Sequence, residues 1–175
     1  MNPQQVDAEP FRHLALWLLP AEEDAVVLQR LVDELARRFG VSSFEPHLTL
    51  HSGPFAADRT PELPGLPSPL ELEVESVEAT PLFTQTLLLR FSEGAPLAPL
   101  AESFRKGAAE PSGYELRPHL SLLYADLPLA EKLALARETR PPMNKVRFDR
   151  LCLVEHSANV ATPEDVAKFK VLRGA

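Results

Sequence analysis

Two stretches of the chain carry a histidine and a hydroxyl two residues apart: His47 and Thr49 in FEPHLTL, and His119 and Ser121 in LRPHLSL. Side chains on a strand alternate between faces, so each pair points the same way, about 6.5 to 7 Å apart along the backbone. A lone strand histidine is ordinarily structural, and Thr is a common strand residue. Two copies in matching contexts are a different matter. If the two strands face each other across a cleft, two imidazoles and two hydroxyls surround one point. That set suits phosphodiester hydrolysis without a metal. One imidazole takes a proton from water while the other, protonated, gives one to the leaving ribose oxygen. The hydroxyls hydrogen-bond non-bridging phosphoryl oxygens and stabilise the charge that builds in the transition state. Nothing in the residues distinguishes the acid from the base.

The elements that must position these residues repeat as well. The apolar run 13–19, ended by Pro20, predicts a buried strand. In the next segment Leu28, Leu31, Val32, Leu35, Ala36 and Phe39 recur at three and four, with acids at the start and Arg37-Arg38 before Gly40, which predicts a helix. The first motif strand follows, with His47, Thr49 and His51 on one face. Residues 54–69, rich in proline, read as a surface loop. ELEVESVEAT and LFTQTLLLRF read as a half-exposed strand and a more buried one, and 96–109 as a helix leading to the second motif strand. A helix at 129–139, a strand in KVRFDRLCLVEHS and a last short strand in KFKVL complete the chain. Trp17 lies thirty residues before His47, and Leu88 thirty-one before His119. The chain thus reads as two copies of strand, helix, motif strand, paired about a pseudo-twofold axis in one domain spanning 1–175, with 1–12 as a flexible tail.

Composition bounds the function. Eighteen Lys and Arg against 25 Asp and Glu leave a net charge of −7, which argues against coating long nucleic acid and leaves room for a small phosphate ligand in a locally positive pocket. The single Cys152 forms no internal disulfide, and no Cys/His spacing reads as a zinc site. No run approaches the roughly 20 apolar residues of a membrane span, and the first twelve residues lack the apolar core of a signal peptide. These features predict a soluble, cytoplasmic monomer with no membrane partner, no cofactor and no metal. The 18 prolines predict stiff connections; Pro46 and Pro118 precede the two histidines, where a strand's first residue tolerates the missing N–H.

The paired PHLTL and PHLSL sequences resemble the two His-apolar-Ser/Thr-apolar motifs of the 2H phosphoesterase superfamily. Within it, WLLP, SSFEPHLTL and RPHLSLLYADL are most similar to the plant and yeast cyclic phosphodiesterase group. The resemblance implies a bilobal α+β fold with duplicated antiparallel sheets, outer helices and a central cleft. It also implies hydrolysis of nucleoside 2′,3′-cyclic phosphates or ADP-ribose 1″,2″-cyclic phosphate, a small cyclic phosphate being the partner. His47, Thr49, His119 and Ser121 match the catalytic four. By that analogy His119 activates water and His47 protonates the leaving oxygen. Tyr124 matches a tyrosine that lies near the phosphate or base in the family, Phe83 and Gln85 resemble residues that line its cleft, and Trp17 matches a tryptophan that reads either as a stacking surface for a nucleobase or as core packing.

Rival readings attach to particular residues. An RNA 2′,3′-cyclic phosphodiesterase or 2′-5′ RNA ligase type of RNA-end enzyme uses the same four residues but calls for a basic rim. A non-catalytic cyclic-nucleotide-binding domain needs no pair of proton-transfer groups. His51 continues the His47-Thr49 face, so it reads as a cleft-edge residue, or as part of a metal site with His47 and His119. Tyr124 lies five residues from His119, so in a regular strand it faces away, and a bulge or the strand's end is needed to turn it in. Phe83 and Gln85 share one face of the strand assigned to them. His13 and His156 lack hydroxyl partners and read as strand ends.

Overall fold

The computed structural model describes residues 11–93, 96–109 and 113–174. Ten of the twelve residues assigned to a tail lie outside that set. Phe11 and Arg12 instead begin β1 (Phe11–Pro20), which leads into α1 (Glu22–Phe39). Glu22, Glu23 and Asp24 complement the helix's first turn, and Arg37 and Arg38 its last. Gly40 ends it at φ 66°, the left-handed conformation glycine adopts without a Cβ penalty, and donates its N–H to the Ala36 carbonyl. β2 (Leu48–Ala56) runs through Pro54 and Phe55 before the proline-rich loop starts. The loop is therefore shorter than its composition predicts. Pairing with β1 carries the strand on, Arg12 opposite Phe55 and His13 opposite Pro54.

β3 (Leu70–Glu78) follows. The segment read as one buried strand divides into a 3-10 turn (Phe83–Gln85) and β4 (Leu87–Phe91). Then come α2 (Leu97–Arg105), β5 (His119–Leu123), α3 (Leu129–Glu138) and β6 (Lys145–His156). The sequence reading passed over α4 (Pro163–Val166), which precedes β7 (Lys170–Gly174). Thr162 and Asp165 form a capping box around α4, with Pro163 at its first position.

Among the described residues seven strands form one antiparallel sheet in the order β1-β2-β5-β4-β3-β6-β7, and β1 also pairs with β6. The fold is α+β. Long β6 serves both halves: Lys145–Phe148 pairs with β3, and Phe148–His156 pairs with β1. β1-α1-β2 in one half answers β4-α2-β5 in the other. The halves meet between β2 and β5 at Leu48 opposite Leu120, the residue after each motif histidine. The pseudo-twofold axis passes through that pair. Each helix packs across the axis, α1 over β5 and α2 over β2.

One face of the sheet holds the main core, with Leu14, Leu16 and Leu18 from β1 and Leu48, Leu120, Leu122, Phe91 and Phe148 from other strands. Ala15, Trp17 and Leu19, on the other face of β1, pack with Cys152 and Val154. Burial on both faces explains the unbroken apolar run of β1. Among the described residues no helix is long and apolar enough to cross a membrane.

Candidate active site

The register at the axis assembles the four motif residues. With Leu48 opposite Leu120 in antiparallel strands, Thr49 lies toward the His119 end of β5, and His47, just before β2 begins rather than within the strand, lies toward Ser121. Cross-strand neighbours lie about 5 Å apart at Cβ. Histidine and hydroxyl thus alternate around a square on the face away from the core, and His47, Thr49 and His119 line a cleft of about 420 Å³.

The two histidines are held alike. The Nδ1–H of His47 donates to the Glu45 carbonyl at 2.6 Å, and that of His119 to the Arg117 carbonyl at 2.7 Å. A carbonyl only accepts, so each contact fixes the proton on Nδ1 and leaves Nε2 as the nitrogen that exchanges protons. Their environments differ. His47 is 5% exposed, its ring stacked on Trp17 at 3.5 Å and 8°. Burial, with smaller contributions from His119 and His156, holds its pKa down at about 4. His119 is only half-buried and is also held below the ordinary value, first by burial, with Arg90 lowering it and Glu78 raising it. Arg90 pairs with Glu78 at 3.0 Å.

The hydroxyls are not equivalent. Thr49 lines the cleft. Ser121 is buried and outside the lining; its hydroxyl donates to the Thr84 carbonyl at 2.7 Å and interacts with the Tyr124 hydroxyl. Ser121 therefore holds the 3-10 turn that carries Phe83, Thr84 and Gln85 into the cleft. Thr86 secures the same turn from behind. It is fully buried, its hydroxyl lies 2.9 Å from the Phe83 carbonyl and 2.7 Å from the Ala125 carbonyl, and it accepts from the Ala125 N–H. Lys132 reaches in to donate to the Pro81 and Leu82 carbonyls.

Phe83 and Gln85 line the cleft from a turn rather than from one strand face. Trp17 also lines it, with one ring face covered by His47 and an edge contact to Phe169. Tyr124 enters the cleft stacked on Phe44 at 3.9 Å, and burial raises its pKa.

A bulge in each half decides which later residues face the cleft. In the first half Trp17 pairs with Thr49 and Leu16 with His51, skipping Leu50. In the second, Leu88 pairs with Ser121 and Leu87 with Leu123, skipping Leu122. The extra residue resets strand parity at the same point in both copies. Tyr124 is turned in, as the sequence required of a bulge. His51 is turned away: it is 2% exposed, with its ring against Phe55, Phe104 and Tyr114 and its Nε2 without a hydrogen-bond partner. Neither the cleft-edge reading of His51 nor the metal site built on it survives. Among the described residues no cluster of three metal-ligating side chains occurs.

The same reset brings in Ser52, the counterpart of Tyr124, which the sequence reading missed together with His156. Both line the cleft, and Ser52 Oγ lies 2.9 Å from His156 Nε2. His156 ends β6 as expected but does have a hydroxyl partner. Aligning the two motifs past their hydroxyls, Thr-x-x-Ser on Ser-x-x-Tyr, was the available signal.

The pattern of paired half-sheets meeting at a histidine-lined cleft defines a known α+β class. The fold is that of E. coli LigT. The structure of LigT complexed with ATP matches with a TM-score of 0.55 at 18% identity, over 95% of this chain and 98% of that one. LigT complexed with 3′-AMP gives 0.53 at 17% identity, over 94% and 97%. A structure described as a phosphoesterase gives 0.53 at 18% identity, over 94% and 97%. No family model matches the sequence, and no curated protein matches it.

Proposed function

We propose that the chain is a phosphoesterase that opens small cyclic phosphodiesters, such as nucleoside 2′,3′-cyclic phosphates, by general acid-base catalysis from His47 and His119. The observation that carries this reading is the pair of imidazoles, each with Nδ1 committed to the carbonyl two residues earlier and Nε2 left for chemistry, across one cleft. The unequal burial of the two suggests a division of labour. His47, the more desolvated, stays neutral and takes a proton from the attacking water. His119, nearer solvent, carries the proton that the phosphate's charge draws in. The P–O bond to the leaving ribose oxygen breaks as His119 protonates that oxygen, and the enzyme's proton count is unchanged after solvent exchange. This order is the reverse of the one that the resemblance implies. Thr49, facing the cleft, donates to a non-bridging oxygen.

The cleft lining, among the described residues, includes no Lys, Arg, Asp or Glu. That favours a small substrate over an RNA end, whose successive phosphates call for a basic track. The test is incubation with 2′,3′-cyclic AMP with and without chelator, with identification of the product isomer. Turnover insensitive to chelator supports the reading. No turnover by the parent protein, or strict dependence on a metal, overturns it.

A further inference from the structure

The Ser52–His156 pair lies in the cleft but outside the reacting square. Along β2 the cleft-facing series is His47, Thr49, Ser52, the last brought in by the bulge at Leu50. Ser52 is thus one same-face step beyond Thr49, about 7 Å further from the axis. Ala15, opposite Ser52 on β1, is small and also lines the cleft, so the floor is open at this point. His156 donates its Nδ1–H to the Ser157 carbonyl at 2.7 Å. The neutral ring then presents Nε2 as an acceptor, and the Ser52 hydroxyl must donate to it at 2.9 Å. With its proton committed, Ser52 Oγ offers the cleft only lone pairs. An ionised phosphodiester or pyrophosphate group, all acceptors, has nothing to gain there, and the lining supplies no lysine or arginine to hold a second anion.

We propose that Ser52, oriented by His156, accepts a hydrogen bond from an uncharged O–H or N–H donor on the part of the substrate beyond the cyclic phosphate, so that the cleft selects a nucleoside rather than a second phosphate. This rests on the reading above for where the phosphate sits. The donor is either an exocyclic amine of the base or the ribose 5′-hydroxyl. A cleft of about 420 Å³ falls within the range of pockets that enclose a ligand of nucleotide size.

Binding can be read without turnover, because Trp17 is the chain's only tryptophan and stacks on His47 in the cleft. Dissociation constants from its fluorescence are measured for adenosine 2′-phosphate, purine-riboside 2′-phosphate, 5′-deoxyadenosine 2′-phosphate and inorganic phosphate. The parent protein and Ser52→Ala are compared. Ser52→Ala should weaken adenosine 2′-phosphate about fivefold, leave inorganic phosphate unchanged, and have no effect on whichever analogue lacks the donor. The analogue that loses the Ser52 dependence identifies amine or hydroxyl. The inference is overturned if Ser52→Ala leaves all four unchanged, weakens all four equally, or if adenosine 2′-phosphate does not bind the parent. Turnover of 2′,3′-cyclic AMP by the same parent sample separates failure of the subsite from failure of the catalytic reading.

Discussion

Burial of His47 makes a prediction about stability that needs no substrate. An unfolded histidine titrates near 6.5, while His47 in the folded chain is held at about 4. Above the first value both states are neutral at this position, and His47 contributes no pH dependence. Between the two values the unfolded chain binds a proton that the folded chain refuses, so stability falls as pH falls. At about 1.4 kcal/mol per pH unit, the full interval amounts to a loss of about 3 kcal/mol, complete below pH 4. His51, His119 and His156 are also held low by burial and act in the same sense, so the parent alone does not isolate His47. His47→Asn does, because the Asn amide can still donate to the Glu45 carbonyl but has no proton to take up. Urea denaturation of both proteins is measured in steps from pH 7.5 to pH 4. The parent's stability relative to the variant should drop by about 3 kcal/mol across the series. A difference constant with pH would refute the placement of His47 as a desolvated, neutral imidazole.

Other expectations follow from the same geometry. The profile of kcat/KM reports the free protein, so with both histidines held below 6.5 its optimum should fall between about pH 4 and 6.5. An optimum above pH 7 would contradict this. Because Thr49 faces the cleft while Ser121 is spent on Thr84, Thr49→Val should lower kcat about 100-fold. Ser121→Ala should lower it about tenfold, through the displaced turn, and equal losses would show that Ser121 reaches the phosphate. Thr86→Val leaves the buried Ala125 N–H and two carbonyls without their shared hydroxyl. It should cost about 2 kcal/mol in urea denaturation, and a change under 0.5 kcal/mol would contradict that role. His51→Phe removes an unpaired buried nitrogen, so it should leave turnover within about twofold, whereas a loss above tenfold would return His51 to the chemistry.

The duplication was legible in the sequence because it is local: the spacing of Trp17 to His47 and of Leu88 to His119 survives as the Trp17–Thr49 and Leu88–Ser121 register pairs. What strand periodicity could not reveal is where it breaks. The bulges at Leu50 and Leu122 involve residues as apolar as any in a regular strand, and the slip is decided by pairing with β1 and β4. Hence the parity argument raised against Tyr124 applied equally to His51, and the matching bulges answer them in turn, Leu122 for Tyr124 and Leu50 for His51. Phe83 and Gln85 sit on a turn rather than on the predicted strand, because FTQ carries no turn residue and its curl is held by the adjoining Thr86 and, from elsewhere in the chain, by Ser121 and Lys132. The capping box at Thr162 and Asp165, by contrast, was written in the sequence and passed over between two strands.

The division of labour between the two histidines is tested most directly by leaving-group dependence. A p-nitrophenyl phosphodiester releases an anion that needs no proton, whereas a ribose alkoxide does. If His119 is the acid, His119→Ala should lower kcat/KM on 2′,3′-cyclic AMP by about 10²- to 10⁴-fold and on the aryl diester by less than about tenfold. His47→Ala should lower both by the larger factor. The opposite pattern, with His47→Ala rescued by the aryl leaving group, would contradict the assignment, and loss of neither activity in either variant would contradict two-histidine catalysis itself.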